Sequence, residues 1–414
     1  MKKSVVLLSA SLLSVASMQA QDTAKAAAPS PFTFSGYIDS YYFYNLNNPK
    51  SGDNLGQSGT ARAFDQKSNT FGLGLVQTKF GYSNTKSDVV VDLTFGPNAD
   101  LGNYGNVVGP LGAGKGSMAL AIKQAYFNYK ATNKLMFTAG QFGTHIGYEV
   151  IDAPVNYNYS LSNLFNNGPF YHIGVKGTYA FSDKVSLMAG VVNNVDALYD
   201  NNASKGVIAQ MFVHPAEGWN VYVNYIGSNE TSTKKVGSTK DTAGFYQMVD
   251  LTTGYQVTEK FYVGVNAAYG SQKAEYQGTA NTGASGKDTT KTWGGAALYM
   301  NYAFTDKFGL GIRAEAFDNT SGVRGLVAAK TTAIASTGTS VGTNVTSITL
   351  TGNITLAEGH LLLKPEIRMD SFKKLDYTDV GLGNAGNYQQ FQDSKGNWTK
   401  NAQTTVGLAL IYKY

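Results

Sequence analysis

The chain contains no cysteine. That excludes a disulfide scaffold, a Cys-ligated zinc or iron–sulfur centre, a thiol nucleophile and a lipid-modified N-terminal cysteine. Charge is also scarce, at 15% of residues against the ~25% of an ordinary soluble domain. Four arginines among 414 residues and a net charge of +5 give no nucleic-acid-binding signature. Beyond the extreme N-terminus no stretch approaches the ~20 apolar residues of a membrane-spanning helix, so a helical membrane protein is excluded. Mean hydropathy is nevertheless mildly negative. The missing charge is replaced by Asn, Thr and Ser, by 47 glycines and by 27 tyrosines.

Residues 1–20 read as a secretory signal. Lys2 and Lys3 form the positive start, Val5 to Val15 an apolar stretch, and small residues lead to Ala20. Cleavage after Ala20 or after Ala16 both fit. Loss of the two lysines lowers the net charge from +5 to about +3. Residues 21–31, rich in Ala, Ser and Pro, read as a flexible N-terminal segment on the periplasmic side.

From Phe32 onward the pattern alternates with period two, the side-chain period of a strand. Phe308, Leu310, Ile312 and Ala314 alternate with Gly309, Gly311, Arg313 and Glu315. Val89, Val91, Leu93 and Phe95 face away from Asp88, Asp92 and Thr94. Short polar turns recur at Asn84–Ser87, Thr132–Lys134, Ser182–Lys184, Pro215–Gly218, Thr258–Lys260, Thr305–Lys307 and Ala357–Gly359. Between them lie longer Gly/Asn/Ser/Thr-rich segments near 46–69, 98–118, 143–168, 195–204, 229–242, 273–290, 319–344 and 372–399.

Seven short turns alternating with eight long loops predict about sixteen strands. The fold class is therefore all-β, a transmembrane antiparallel β-barrel over residues 32–414 with short periplasmic turns and long extracellular loops. In hydrocarbon every backbone N–H and C=O must be paired within the protein, so a sheet can span only by closing on itself. Localisation follows: the outer membrane of a Gram-negative bacterium, with outer-membrane lipids around the wall. Aromatics such as Phe80, Tyr82, Tyr129, Phe137, Tyr179, Tyr302 and Phe304 cluster beside the short turns, as an interfacial girdle requires. At the C-terminus Leu408, Leu410, Tyr412 and Tyr414 share one face and the chain ends on the aromatic. This resembles the final-strand signal read by the barrel-assembly machinery.

Sixteen strands leave an aqueous channel. Alternation points Asp39, Lys79, Asp92, Lys176, Asp250, Arg313, Glu315, Lys364, Glu366 and Arg368 inward, five bases and five acids, which argues against strong ion selectivity. The third long loop, 143–168, carries Ile146, Val150, Ile151, Leu161, Leu164 and Phe165, apolar residues that a solvated loop does not need. Folded against the inner wall, it would narrow the pore and set Glu149 and Asp152 opposite Lys176, Arg313 or Arg368, with Glu315 in the same ring. The competing reading packs this loop on its extracellular neighbours.

The stretch Gln141 to Pro154, continuing through Asn156–Ser160 to Gly168–Gly174, and the opening Phe34–Tyr42 resemble the outer-membrane β-barrel porin family typified by OmpL-like porins, common in Bacteroidota. The resemblance spans essentially the whole mature chain and implies a porin or porin-like channel. It supplies no substrate and no binding residues.

The expected function is passive diffusion of small hydrophilic solutes and ions through a barrel constricted by loop 143–168. A second reading is a surface-exposed structural or interaction barrel without channel activity. An outer-membrane enzyme ranks third. Of the four histidines, His145 and His172 flank loop three on adjacent strands but have no matched carboxylate spacing, so no metal, cofactor or catalytic residue is expected. Sixteen-stranded general porins are commonly trimers, which makes a homotrimer one expected assembly.

Overall fold

The computed structural model describes residues 30–102, 121–200, 202–230, 243–274, 289–321, 342–376 and 387–414. The expected signal peptide, all but the end of the flexible segment, and parts of six long loops lie outside these residues. The strands are β1 (Phe32–Asn45), β2 (Thr70–Ser83), β3 (Ser87–Phe95), β4 (Ile122–Lys130) and β5 (Leu135–Gly143). They continue with β6 (Tyr171–Ser182), β7 (Val185–Val192), β8 (Gly206–Ala216), β9 (Trp219–Asn229) and β10 (Ala243–Gln256). Then come β11 (Phe261–Ala274), β12 (Thr289–Thr305), β13 (Phe308–Asp318), β14 (Asn344–Leu356) and β15 (Leu361–Phe372). The final long loop carries the short strands β16 (Leu375–Asp376), β17 (Asn387–Tyr388), β18 (Phe391–Gln392) and β19 (Trp398–Lys400), and the last strand is β20 (Ala402–Lys413). Two short helices, α1 (Pro97–Gly102) and α2 (Asn163–Asn167), belong to loops two and three.

Strands β1 to β15 pair in sequence order and β20 closes the ring between β15 and β1. Every contact in the ring is antiparallel, and closure runs from Tyr37 opposite Lys413 to Asn45 opposite Thr405. The sixteen-stranded count is as the turn spacing predicts. The tight ends have a local chemical cause. Thr132, Thr258 and Thr305 each accept two backbone N–H groups through Oγ1, as in Leu135 N to Thr132 at 3.0 Å and Phe308 N to Thr305 at 3.0 Å. Asn84 does the same with Oδ1 for Lys86 and Ser87, both at 2.8 Å.

The two faces separate as a lipid-spanning sheet demands. Val89, Phe95, Leu298, Ile348, Leu350, Leu408 and Leu410 point outward and are exposed, whereas Asp92, Thr349, Thr351, Arg368 and Thr405 are buried on the inner face. The same charges turned to lipid at the midplane would cost about 2–4 kcal/mol for a base. Exposed rings pack on one another beside the short turns: Tyr302 lies 4.9 Å from Phe304, which stacks 5.3 Å from Phe308.

Candidate pore constriction

Loop three leaves β5 at Thr144 and rejoins the wall at β6, and between those points it crosses the inside of the barrel. Ordering such a segment costs about 1–2 kcal/mol per residue in backbone entropy alone, so it needs many anchors. Its apolar side chains provide some. Ile146 and Leu164 join a buried cluster with Phe142, Met248, Trp293 and Tyr299, while Ala153 and Tyr159 pack with Tyr41, Phe43 and Ile411 near the closing seam.

The wall makes room for the loop at two glycines. A Cβ on Gly264 of β11 would lie 2.5 Å from the Tyr148 hydroxyl oxygen, and one on Gly311 of β13 would lie 2.8 Å from the Tyr157 carbonyl oxygen. Tyr148 thereby reaches past β11 to stack on Tyr299 at 4.1 Å and to hydrogen-bond Tyr262.

Charged wall residues then grip the loop's backbone. Glu315 accepts from Asn163 N at 2.9 Å and Leu164 N at 2.8 Å, placing a carboxylate at the start of α2, where unpaired N–H groups favour it. Ser162 caps the same turn by accepting from Phe165 N at 3.0 Å. Glu366 accepts from Tyr159 N and Ser160 N, at 2.7 and 3.1 Å. Arg313 donates to Glu149 at 2.5 Å and to the Ser160 carbonyl at 2.6 Å, and Arg368 donates to the Leu161 carbonyl at 2.7 Å. Lys364 donates to the Asn156 carbonyl. Asp250 accepts from Gly147 N, and His145 Nε2 donates to the Tyr225 carbonyl, both at 3.0 Å. Burial pushes the His145 imidazole down to about 4, with the Lys176 charge acting in the same direction.

Loop one, residues 46–69, packs against loop three and the wall. Arg62 is buried, donates to Asp370 at 2.9 Å and Thr405 at 3.0 Å, and pairs with Asp65. Phe64 packs 6.2 Å from Phe165 and 6.3 Å from Phe170 of loop three. Between them the two loops crowd the side of the lumen bounded by β10–β15, β20 and part of β1.

On the other side a cavity of about 770 Å³ remains beside loop three. Asp152 at the loop's tip reaches across to the β1–β4 wall, where Lys123 donates to it at 2.5 Å, Gln77 at 2.7 Å and Tyr37 at 3.3 Å. Lys123 also lies 3.4 Å from Asp92. Lys79 of β2 and Lys176 of β6 line the same cavity.

The six residues expected to ring the pore therefore divide. Glu149 and Arg313 meet, but as a buried ion pair and not across open water; Glu315 and Arg368 lie behind the loop and hold its main chain. Neither Glu149 nor Asp152 pairs directly with Lys176 or Arg368, whose places are the cavity wall and the Asp370 pair. An unpaired guanidinium behind the loop would carry a desolvation penalty of several kcal/mol, which the pairing in place offsets. Asp152 and Lys176 face the cavity. Lys123, Gln77 and Arg62 were not singled out from sequence.

A closed sixteen-stranded barrel with its third loop folded into a water-accessible lumen defines the porin class of outer-membrane channel. Residues 31–414 match the family described as "Putative beta-barrel porin-2, OmpL-like", and the chain belongs to that family. It is an outer-membrane porin. The fold is similar to that of the outer-membrane channel DcaP of Acinetobacter baumannii, at TM-score 0.53 and 12% identity over 92% of this chain and 97% of that one. OmpT of Vibrio cholerae gives TM-score 0.52 and 13% identity, covering 92% and 97%. The anion-selective porin of Comamonas acidovorans gives 0.51 and 11%, covering 92% and 99%. No curated protein sequence matches the chain at a significant level.

Proposed function

We propose that the protein passes small hydrophilic solutes and ions by diffusion along the cavity between loop three and the β1–β10 wall, and that it is not an enzyme. One observation carries this reading. The loop is fastened to the β13–β15 side by buried charge while its other side faces open space, and Asp152 borders that space, paired with Lys123 and sharing the cavity with Lys176. Glu149, Arg313, Glu315 and Arg368 serve the constriction by holding the loop in place.

Planar-bilayer recording of purified protein tests the reading. Stable conductance steps support it, and folded barrel without conductance favours the structural or interaction alternative. We further propose a homotrimer, checked by native mass measurement of detergent-extracted protein, and residues 1–20 as a cleaved export signal, checked by N-terminal sequencing. The face formed by Leu408, Leu410, Tyr412 and Tyr414 is exposed, and we propose that it is read by the assembly machinery. Removing Tyr414 then lowers the amount inserted in the outer membrane.

A further inference from the structure

The open side of the lumen offers its positive charge more freely than its negative charge. The carboxylates on the cavity wall are engaged: Asp88 pairs with Lys130, Asp92 and Asp152 share Lys123, and Glu149 is bound to Arg313. Lys79 and Lys176 also line the cavity, yet neither has a hydrogen-bond or ion-pair partner among the described residues. Lys176 instead lies 4.3 Å above the centre of the Phe142 ring.

The second feature is apolar. Phe142, Tyr126, Tyr148, Tyr222 and Met188 also contribute to the cavity wall. A channel for simple ions needs no such surface, whereas recognition sites for organic molecules combine aromatic walls with a few placed polar groups. Resting on the porin reading above, we infer that this channel favours small organic carboxylates. The carboxylate is drawn to Lys79 and Lys176, and the apolar body follows the aromatic wall.

The opposing influence comes from the filled half, where acids outnumber bases. Those acids are turned toward the loop: Glu315 and Glu366 accept from its backbone, Asp250 accepts from Gly147 N, and Asp370 binds Arg62 and Arg368. None of these four acids lines the cavity, whereas the two lysines do. Proximity decides the sign, because exposed charges are screened beyond about 8 Å at physiological salt.

Bi-ionic potentials across planar bilayers holding the full protein test this, with potassium benzoate or benzylammonium chloride set against potassium chloride. Benzoate is expected to permeate better than potassium, and benzylammonium worse than chloride. Lys79→Gln with Lys176→Gln should lower the benzoate-to-potassium ratio by about threefold or more, the order expected for unit charges acting over a few ångström. The Lys79→Arg/Lys176→Arg pair should retain the ratio. A cation-preferring channel, or an unchanged ratio in a conducting Gln variant, overturns the inference while leaving the porin reading intact. Absence of conductance in folded protein overturns both.

Discussion

Arg313 of β13 and Glu149 of loop three form a buried ion pair at 2.5 Å, although 164 positions separate them in sequence. The pair ties the first part of the loop to the wall opposite its open side. Removing one partner leaves an uncompensated buried charge, at a cost of about 3–5 kcal/mol. Arg313→Leu alone should therefore loosen loop three, seen as noisier conductance and faster proteolysis between 144 and 170. Arg313→Leu with Glu149→Gln should recover part of the loss. A single variant as quiet and resistant as the parent would show that the pair does not fasten the loop.

Selectivity should respond to Asp152 and not to Glu149. Asp152 keeps about a fifth of its side chain accessible, while Glu149 is almost fully covered. Asp152→Asn removes a negative charge from the cavity and should shift the reversal potential in a salt gradient toward anions. An unmoved potential would mean that the loop's tip does not line the path.

Gly264 can be tested by size. Gly264→Val places methyl groups where the Tyr148 ring lies, an overpacking that costs about 1–3 kcal/mol. The expected result is a displaced loop with altered conductance in a barrel that still shows normal heat-modifiable gel mobility. Gly264→Val combined with Tyr148→Ala should restore the parent conductance.

Acid should release the loop's first turn. His145 docks neutral, held down to about 4 by burial first and by Lys176 second, with His172 and Thr144 beside it. An imidazole free in water titrates near 6.5, so the docked state is fully favoured above about that pH and is weakened as pH falls toward 4, by about 3 kcal/mol in total. Channel closures or noise should rise over that interval, and His145→Gln should flatten the dependence. Identical records at pH 7.5 and 4.5 in the parent would contradict it.

The barrel was legible because its constraints are local. Period-two alternation sorts lipid from lumen, and a Thr or Asn that accepts two backbone N–H groups marks a tight end, as Thr305 does. Loop three betrayed its burial through Ile146 and Leu164. How the lumen charges pair was not legible. A register shift between Asp92 and Leu93 brings Lys123 to the lumen beside Gln124, and alternation alone cannot place such a bulge. Nor does spacing show that Arg62 meets Asp370, 308 positions away. Rarity held a clue. The chain has four arginines, and the three among the described residues are all buried where loops one and three meet the wall.

The uneven filling of the lumen divides the wall into two kinds of surface. On β13–β15 an inward substitution must answer to the loop that Arg313, Glu315, Glu366 and Arg368 hold. Along β2 to β9, Lys79, Asn128 and Asn220 meet only the cavity and neighbouring wall residues, and Lys176 reaches loop three only through its charge on His145. Exchanges there can change what the channel admits without unfastening the constriction. The barrel thus behaves as a fixed chassis with a replaceable lining on one side, which is where engineering of its permeability should begin.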